Sequence, residues 1–102
     1  MGKFLIYWKT DMSRVPEDPK EQISLFVSLT EMVKEDLKNG PTKDFGIFLS
    51  GHAGYTIEEG TEQEISLSVL KYSPYINCKV FPILSIDQLE ENLKELSKGT
   101  PE

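Results

Sequence analysis

The residues best suited to proton-transfer chemistry lie between Lys43 and Glu58, in the segment KDFGIFLSGHAGYTIE. This segment contains His52, the single histidine of the 102-residue chain. The ordinary pKa of histidine lies close to neutrality, so His52 is the natural candidate for a general base. A catalytic histidine is normally oriented by a carboxylate, and the sequence identifies no Asp or Glu in that role. The segment therefore offers a candidate residue without a reaction.

The same segment gives little support to a metal, phosphate or cofactor site. The glycine-rich stretch 50–54 lacks the lysine of a phosphate-binding loop and does not open a helix. A metal at His52 would depend on carboxylates such as Glu58, Glu59 and Glu62, which we interpret as the solvated end of a strand. We therefore expect no metal and no cofactor.

The lone cysteine, Cys78, excludes an internal disulfide. It lies among β-branched and aromatic residues, where a free cysteine usually acts as a small buried hydrophobe. On a strand, its neighbour Lys79 points to the opposite face, so no cation is expected beside the thiol. We interpret Cys78 as structural rather than reactive.

Composition and charge exclude several classes of partner. The net charge is −6, and no basic run is present, which argues against nucleic acid and against an anionic membrane surface. The apolar run at residues 4–8 is too short for a membrane span or a signal sequence. With 38% hydrophobic and 27% charged residues, the sequence predicts one globular domain over residues 1–102, expected to be cytoplasmic.

Hydrophobic periodicity and capping residues predict four strands and three helices. The predicted strands span residues 3–9, 43–50, 53–58 and 77–84. A long helix is predicted from the Asp18-Pro19 cap to about Asn39, a second after the capping box that begins at Thr61, and a third after Ser85. The third helix carries a regular apolar stripe, which we expect to lie on another surface.

The order of these elements predicts the fold. The order β-α-β-β-α-β followed by a helix is that of an α+β, ferredoxin-like domain with a four-stranded antiparallel sheet. Strands one and three are expected in the centre, and Pro82 fits an edge position for strand four. Ile47, Leu49 and Ile57 are predicted to face the helices.

Two helices cover one face of such a sheet, and the other face is predicted to be apolar as well. Its predicted residues are Leu5, Tyr7, Phe48, Phe81 and Ile83. An apolar surface of this size is normally covered. A second copy of the same sheet, related by a two-fold axis, is the simplest cover, so we expect a homodimer through the sheet face.

The segment Ser73-Pro74-Tyr75, followed by Lys79-Val80-Phe81-Pro82, is similar to the Asp-Pro-Tyr segment and the next strand of YCII-related proteins. With the element order, it makes the chain resemble the dimeric α/β-barrel superfamily, in particular its small uncharacterised bacterial and archaeal members. Muconolactone isomerases and cofactor-free monooxygenases belong to the same superfamily, in which two ferredoxin-like subunits pack sheet to sheet. YCII-related proteins pair their Asp with an early histidine. Here Ser73 takes the Asp position and no histidine precedes His52. The resemblance therefore implies a fold and a dimer, and it carries over no catalytic residue.

Three functional hypotheses remain open at this point. The first is a non-catalytic homodimer that binds a small apolar or aromatic molecule, or a protein, in the sheet-to-sheet cleft, lined by Tyr7, Phe48, His52 and Phe81. The second is a cofactor-free isomerase, lyase or monooxygenase, with His52 as general base and Tyr55 or Tyr7 orienting the substrate. The third is an interaction role for the acidic surface and the terminal helix.

Overall fold

A computed structural model describes residues 2–99 of the chain as a four-stranded sheet with three α-helices. In chain order the elements are β1 (Gly2–Thr10), α1 (Pro19–Asn39), β2 (Thr42–Ile47), β3 (Ala53–Gly60), α2 (Glu62–Leu70), β4 (Ile76–Ile83) and α3 (Ile86–Lys98). A short 3-10 turn, Met12–Arg14, follows β1. No helix within residues 2–99 is both long enough and apolar enough to cross a lipid bilayer.

The strands are ordered β2-β3-β1-β4, and every neighbouring pair is antiparallel. The predicted α+β architecture with a four-stranded antiparallel sheet is therefore confirmed. β1 and β3 occupy the centre, and β4, which contains Pro82, is an edge strand. Proline has no N–H to donate, so the outer strand is where it costs the sheet least.

The three helices begin where their capping residues predict. The Asp18 side chain accepts a hydrogen bond from the Glu21 backbone N–H at 3.1 Å, with Pro19 at the first helical position. Thr61 and Ser85 each form a complete capping box, with Glu64 and Gln88 respectively. Each cap satisfies backbone donors that the helix itself leaves free, which fixes the start of the helix locally.

In the β2–β3 hairpin, β2 ends earlier than predicted, whereas β3 continues to Gly60. β2 ends at Ile47, because the Phe48 N–H donates to the Ala53 carbonyl and the Gly51 N–H donates to the Phe48 carbonyl, both at 2.8 Å. Gly51 has a φ of 88°, in the left-handed region that favours glycine. The predicted strand 43–50 is therefore wrong at its end, since three of its residues form the turn.

The assignment of β3 to the two faces of the sheet is also corrected. Cross-strand partners share a face, and Ile57 pairs with Leu5, on the face away from the helices. Thr56 pairs with Ile6, a residue of the buried core, so Thr56 and Glu58 face the helices instead. The prediction that Ile57 faces the helices is wrong, and so is the interpretation of Glu58 as part of a solvated strand end.

The core between the sheet and the helices is small. Phe4, Ile6 and Ile65 form its buried cluster, with Val69 and Cys78 packed against it. The apolar stripe of α1 faces the same side of the sheet, but the only buried residue of α1 is the polar Asp36. The side chains of α1 therefore surround a space next to the sheet instead of filling it.

The terminal helix α3 has the predicted apolar stripe, but it does not lie on the sheet. None of its described residues is buried, and Ile86 and Leu93 are 74% and 56% exposed. The molecule measures 67 Å along its longest axis, against 26 Å and 19 Å along the others. Within one chain, nothing covers the apolar stripe of α3 in the described residues. That another surface covers the stripe stays a prediction, and the surface would belong to a second molecule.

Candidate functional site

A cavity of about 490 Å³ lies between α1 and the sheet. This volume is in the range of small-molecule binding sites, roughly 300–1,000 Å³. Most of its lining is apolar: α1 contributes Phe26, Leu29 and Val33, and the strands contribute Ile6, Trp8 and Phe45. Such a surface suits a molecule that is itself largely apolar.

Three buried polar atoms in the wall of this cavity have no hydrogen-bond partner among the described residues. They are Trp8 Nε1, Glu58 Oε1 and Ser68 Oγ. Their residues are 8%, 5% and 3% exposed. Most buried polar groups in folded proteins are paired, and an unpaired one costs about 1–3 kcal/mol. All three atoms belong to residues that line the same cavity.

Glu58 is the acidic centre of the site. Its Oε2 accepts long hydrogen bonds from the hydroxyls of Thr56 and Thr42, at 3.4 and 3.5 Å. Burial raises the pKa of Glu58, and the negative charge of Asp36 raises it further, while the neighbouring hydroxyls oppose the shift. The Ser68 hydroxyl opposes the shift more than either threonine does, so it lies beside the Glu58 carboxylate. The geometry between the two side chains nevertheless falls short of a hydrogen bond. The hydrogen bonds to the ionised carboxylate therefore do not fully offset the cost of removing its charge from water.

Asp36 lies near Glu58, on which its charge acts, and both of its carboxylate oxygens are paired. Its two carboxylate oxygens accept hydrogen bonds from Lys71 Nζ and from the Tyr72 hydroxyl, each at 2.6 Å. Burial and the adjacent Asp36 carboxylate raise the pKa of Tyr72, so its hydroxyl stays protonated and continues to donate. This cluster joins the last turns of α1 to the segment between α2 and β4.

Cys78 also lines the cavity, from β4. Burial, and then the charge of Glu58, raise the pKa of its thiol to about 11. A thiol with this pKa is protonated at neutral pH and is a poor nucleophile. Cys78 therefore contributes a small apolar wall, in the structural role that its sequence context indicates.

The far end of the cavity is formed by Trp8. Its ring stacks on Phe45, with ring centroids 5.6 Å apart and an interplanar angle of 13°. It also lies over Gly54, where a Cβ would come within 2.6 Å of the indole Cζ2. Trp8 pairs with Gly54, and Phe4 pairs with Glu58. Along β3 the two paired positions are four residues apart, or about 13 Å, so the indole N–H and the Glu58 carboxylate belong to opposite ends of an elongated cavity.

Three of the four sequence-predicted site residues lie on the other, open face of the sheet. The rings of Tyr7 and Phe48 are neighbours, with centroids 6.4 Å apart. Phe81 pairs with Leu5, two residues along β1 from Tyr7, and so shares this face. All three aromatic side chains are exposed in the single chain. They form an apolar surface rather than an enclosed pocket.

The fourth predicted residue, His52, lies in the exposed turn between β2 and β3. Its backbone carbonyl accepts a hydrogen bond from the Thr10 N–H at 2.8 Å. Its ring has no hydrogen bond or ion pair with any residue in 2–99, so no carboxylate orients it. Tyr55, named as a substrate-orienting residue, donates instead to Asp44 at 3.0 Å. The described geometry assembles no catalytic pair around His52.

Sequence reasoning did not identify Glu58, Ser68 or the indole N–H of Trp8 as polar groups of this cavity.

Within the described part of the chain, no group of three or more His, Cys, Asp or Glu side chains is placed to hold a metal ion. No known family model matches the chain, and no curated protein is significantly similar to it.

Proposed function

We propose that this protein binds a small, elongated and largely apolar molecule in the cavity between α1 and the sheet. The observation that carries the proposal is the set of three buried, unpartnered polar atoms on Trp8, Glu58 and Ser68 around one apolar cavity. A ligand with a polar group at each end would satisfy them, while its apolar middle contacts the side chains of α1 and the sheet. Pockets of this kind combine a hydrophobic lining with a few polar groups that fix orientation.

The energetics of Glu58 favour a binding role over a structural one. An under-compensated buried carboxylate lowers the stability of the fold, and an apolar residue of similar size would fill the position at lower cost. Natural proteins often retain such groups where function requires them. Glu58 is therefore better explained as a recognition group than as a packing residue.

For the fold we propose a ferredoxin-like subunit that forms a homodimer of the dimeric α/β-barrel type. The strand order β2-β3-β1-β4 and the antiparallel pairing support the subunit fold. Tyr7, Phe48 and Phe81 on the open face support the dimer, because exposed aromatic groups this close together are usually covered. A two-fold pairing of open faces would bury these rings.

A cleft between two such sheets is a second candidate site, favoured by the contact between the Tyr7 and Phe48 rings. We rank the cavity on the helix side first, since it has unpartnered polar groups within a single chain. The cofactor-free enzyme with His52 as general base remains a hypothesis.

The binding proposal is tested by narrowing the cavity. We expect Val33→Phe, on the cavity side of α1, to weaken binding of 1-octanol about tenfold, or ~1.4 kcal/mol, because the new ring occupies ligand space. The matched control is Val27→Phe, which makes the same change on the exposed side of the same helix. Trp8 is the single tryptophan of the chain and lines the cavity, so its fluorescence reports occupancy directly.

Equal affinity of both variants and the wild type for octanol would contradict a site between α1 and the sheet. Chemical shift changes measured by NMR provide the independent readout. They are expected for lining residues of both α1 and β3, and changes confined to the open face would place the ligand in the second candidate cleft instead.

The dimer is tested separately by sedimentation at micromolar concentration. We expect the wild type to sediment as a dimer and Phe81→Glu to sediment as a monomer, since the substitution places a charge in the proposed interface. Val80→Glu is the control, because Val80 is similarly exposed but pairs with Ile6 and so lies on the opposite face. A monomeric wild type would refute the sheet-to-sheet dimer.

A further inference from the structure

The charges around Glu58 leave a net negative end to the cavity. Besides Glu58, the titratable side chains that line the cavity are Lys34, Tyr72 and Cys78. Asp36, on α1, acts on Glu58 by its charge, and Lys71, after α2, pairs with Asp36. Asp36 is paired with Lys71, and these two charges offset each other. Tyr72 and Cys78 are neutral near pH 7, because the pKa of each is raised. Glu58 is therefore the carboxylate that these groups leave without a counter-charge.

The remaining cation at this site does not neutralise Glu58. Lys34 contributes to the cavity wall, but its side chain is 69% exposed and its Nζ lies 3.6 Å from Glu31 Oε1. No described lysine or arginine forms an ion pair with Glu58. A cationic group entering from the cavity would thus meet a carboxylate that has no competing partner.

Ser68 adds a second acceptor at the same end. Its hydroxyl oxygen is unpartnered and buried, and it carries two lone pairs as well as its proton. An ammonium group has three donors and no acceptor, so it can donate to Glu58 Oε1 and to Ser68 Oγ together. A ligand carboxylate would instead be repelled by Glu58.

Resting on the proposed function, we propose that the ligand is a largely apolar primary amine. Its ammonium group is held by Glu58 and Ser68, and its body extends along the cavity toward Trp8, where an acceptor at its far end pairs with the indole N–H. The low-dielectric surroundings strengthen this pairing relative to the same pair in water. Binding gives Glu58 a positive counter-charge, which no lysine or arginine within residues 2–99 supplies.

The test compares three probes of equal length: octylamine, 1-octanol and octanoate. With the full-length protein at pH 7.5, we expect octylamine to bind at least about tenfold more tightly than octanol, and octanoate more weakly than octanol. Trp8 fluorescence gives the affinities. In Glu58→Gln the preference for octylamine over octanol is expected to fall below about threefold. Glu59→Gln, an exposed neighbour on the opposite face, is expected to keep the preference.

The pH dependence gives a readout that a merely structural role of Glu58 would not produce. Burial raises the pKa of Glu58, and an ammonium ligand requires the ionised carboxylate. The affinity for octylamine is therefore expected to rise with pH across the titration of Glu58, and to show no such rise in Glu58→Gln. This profile is measured on the wild type, so the inference stays testable even if a variant folds poorly.

Each outcome bears on one of the two proposals. If no probe changes Trp8 fluorescence, the proposed cavity function fails. If octanol or octanoate binds as tightly as octylamine, or if Glu58→Gln retains the amine preference, the cavity function stands and the amine inference is overturned.

Discussion

Replacing Asp36 by alanine is expected to lower the free energy of unfolding by about 3 kcal/mol. Asp36 is 5% exposed and accepts two short hydrogen bonds, from Lys71 and Tyr72. Its removal leaves the half-buried Tyr72 hydroxyl without its acceptor and breaks the connection between α1 and the segment after α2. The Lys71 side chain is 40% exposed and can turn to water, which keeps the loss below that of a fully buried ion pair.

The control for this prediction is Glu35→Ala, one residue earlier in the same helix. Glu35 is exposed, and its side chain accepts a hydrogen bond from Asn39, so its replacement is expected to cost less than about 0.5 kcal/mol. Urea unfolding of both variants, with Tyr72→Phe and the double variant, isolates the Asp36–Tyr72 coupling. A loss for Asp36→Ala no larger than that for Glu35→Ala would show that the cluster does not hold α1.

The second large effect has the opposite sign. Glu58→Gln is expected to raise the free energy of unfolding at pH 7 by about 1 kcal/mol, because it removes a buried carboxylate that has one unpartnered oxygen. The amide keeps the shape of the side chain and leaves some polar atoms unpaired, so the gain is smaller than the full cost of the buried charge. A gain of this size corresponds to about 4–8 °C in Tm for a domain of this length.

The pH dependence of stability fixes the origin of that gain. Glu58 has its pKa raised in the folded state above the unfolded value of 4.5, so the folded chain binds its proton more tightly than the unfolded chain. The contribution of Glu58 to stability is therefore complete below pH 4.5 and is lost as the pH rises through the folded-state pKa. The advantage of Glu58→Gln over the wild type should accordingly grow from pH 4.5 upward and then level off.

Thermal unfolding of the wild type, Glu58→Gln and Glu59→Gln between pH 4 and 8 measures this difference. Glu59 is exposed and lies on the other face of β3, so Glu59→Gln is expected to follow the wild-type curve. A Glu58→Gln variant that is less stable than the wild type at pH 7 would mean that the carboxylate stabilises the fold, and would remove one argument for a binding role.

Much of the architecture could be predicted because local chemistry determines it. Asp18-Pro19, Thr61 with Glu64, and Ser85 satisfy the first backbone donors of their helices through side chains a few residues away. Pro82 marks an edge strand because it lacks an N–H. None of these features depends on distant parts of the chain, so each can be read from a short stretch of sequence.

The orientation of β3 could not be predicted in the same way. Tyr55 and Ile57 are its apolar alternating residues, and an apolar set normally faces the core. Here Thr56 and Glu58 face inward, a placement that depends on the register with β1. The apolar set points to the open face, where Ile57 pairs with Leu5. A hydrophobic pattern assigns polar residues to the solvent-facing side of a strand, so it could not predict that Thr56 and Glu58 face inward.

The cavity itself leaves no signature in a periodic pattern. Phe26, Leu29 and Val33 recur at helical spacing whether a helix packs tightly or encloses a space. Likewise, His52 stood out because of its residue type alone, whereas the position of Glu58 in the structure is what gives that residue chemical interest. The sequence shows which residue types could take part in chemistry. It does not show which of them are buried beside the cavity.

The way α1 is attached has a consequence for how the protein would respond to its surroundings. The helix is held at its last turns by Asp36, and elsewhere it meets the sheet across the cavity. A molecule in that space adds contacts to the helix and the sheet at once, and it loses both when the chain unfolds. By mass action, stability then increases with ligand concentration, by about 2.7 kcal/mol at one hundred times the Kd. The fraction of the chain that is folded would thus follow the supply of its ligand.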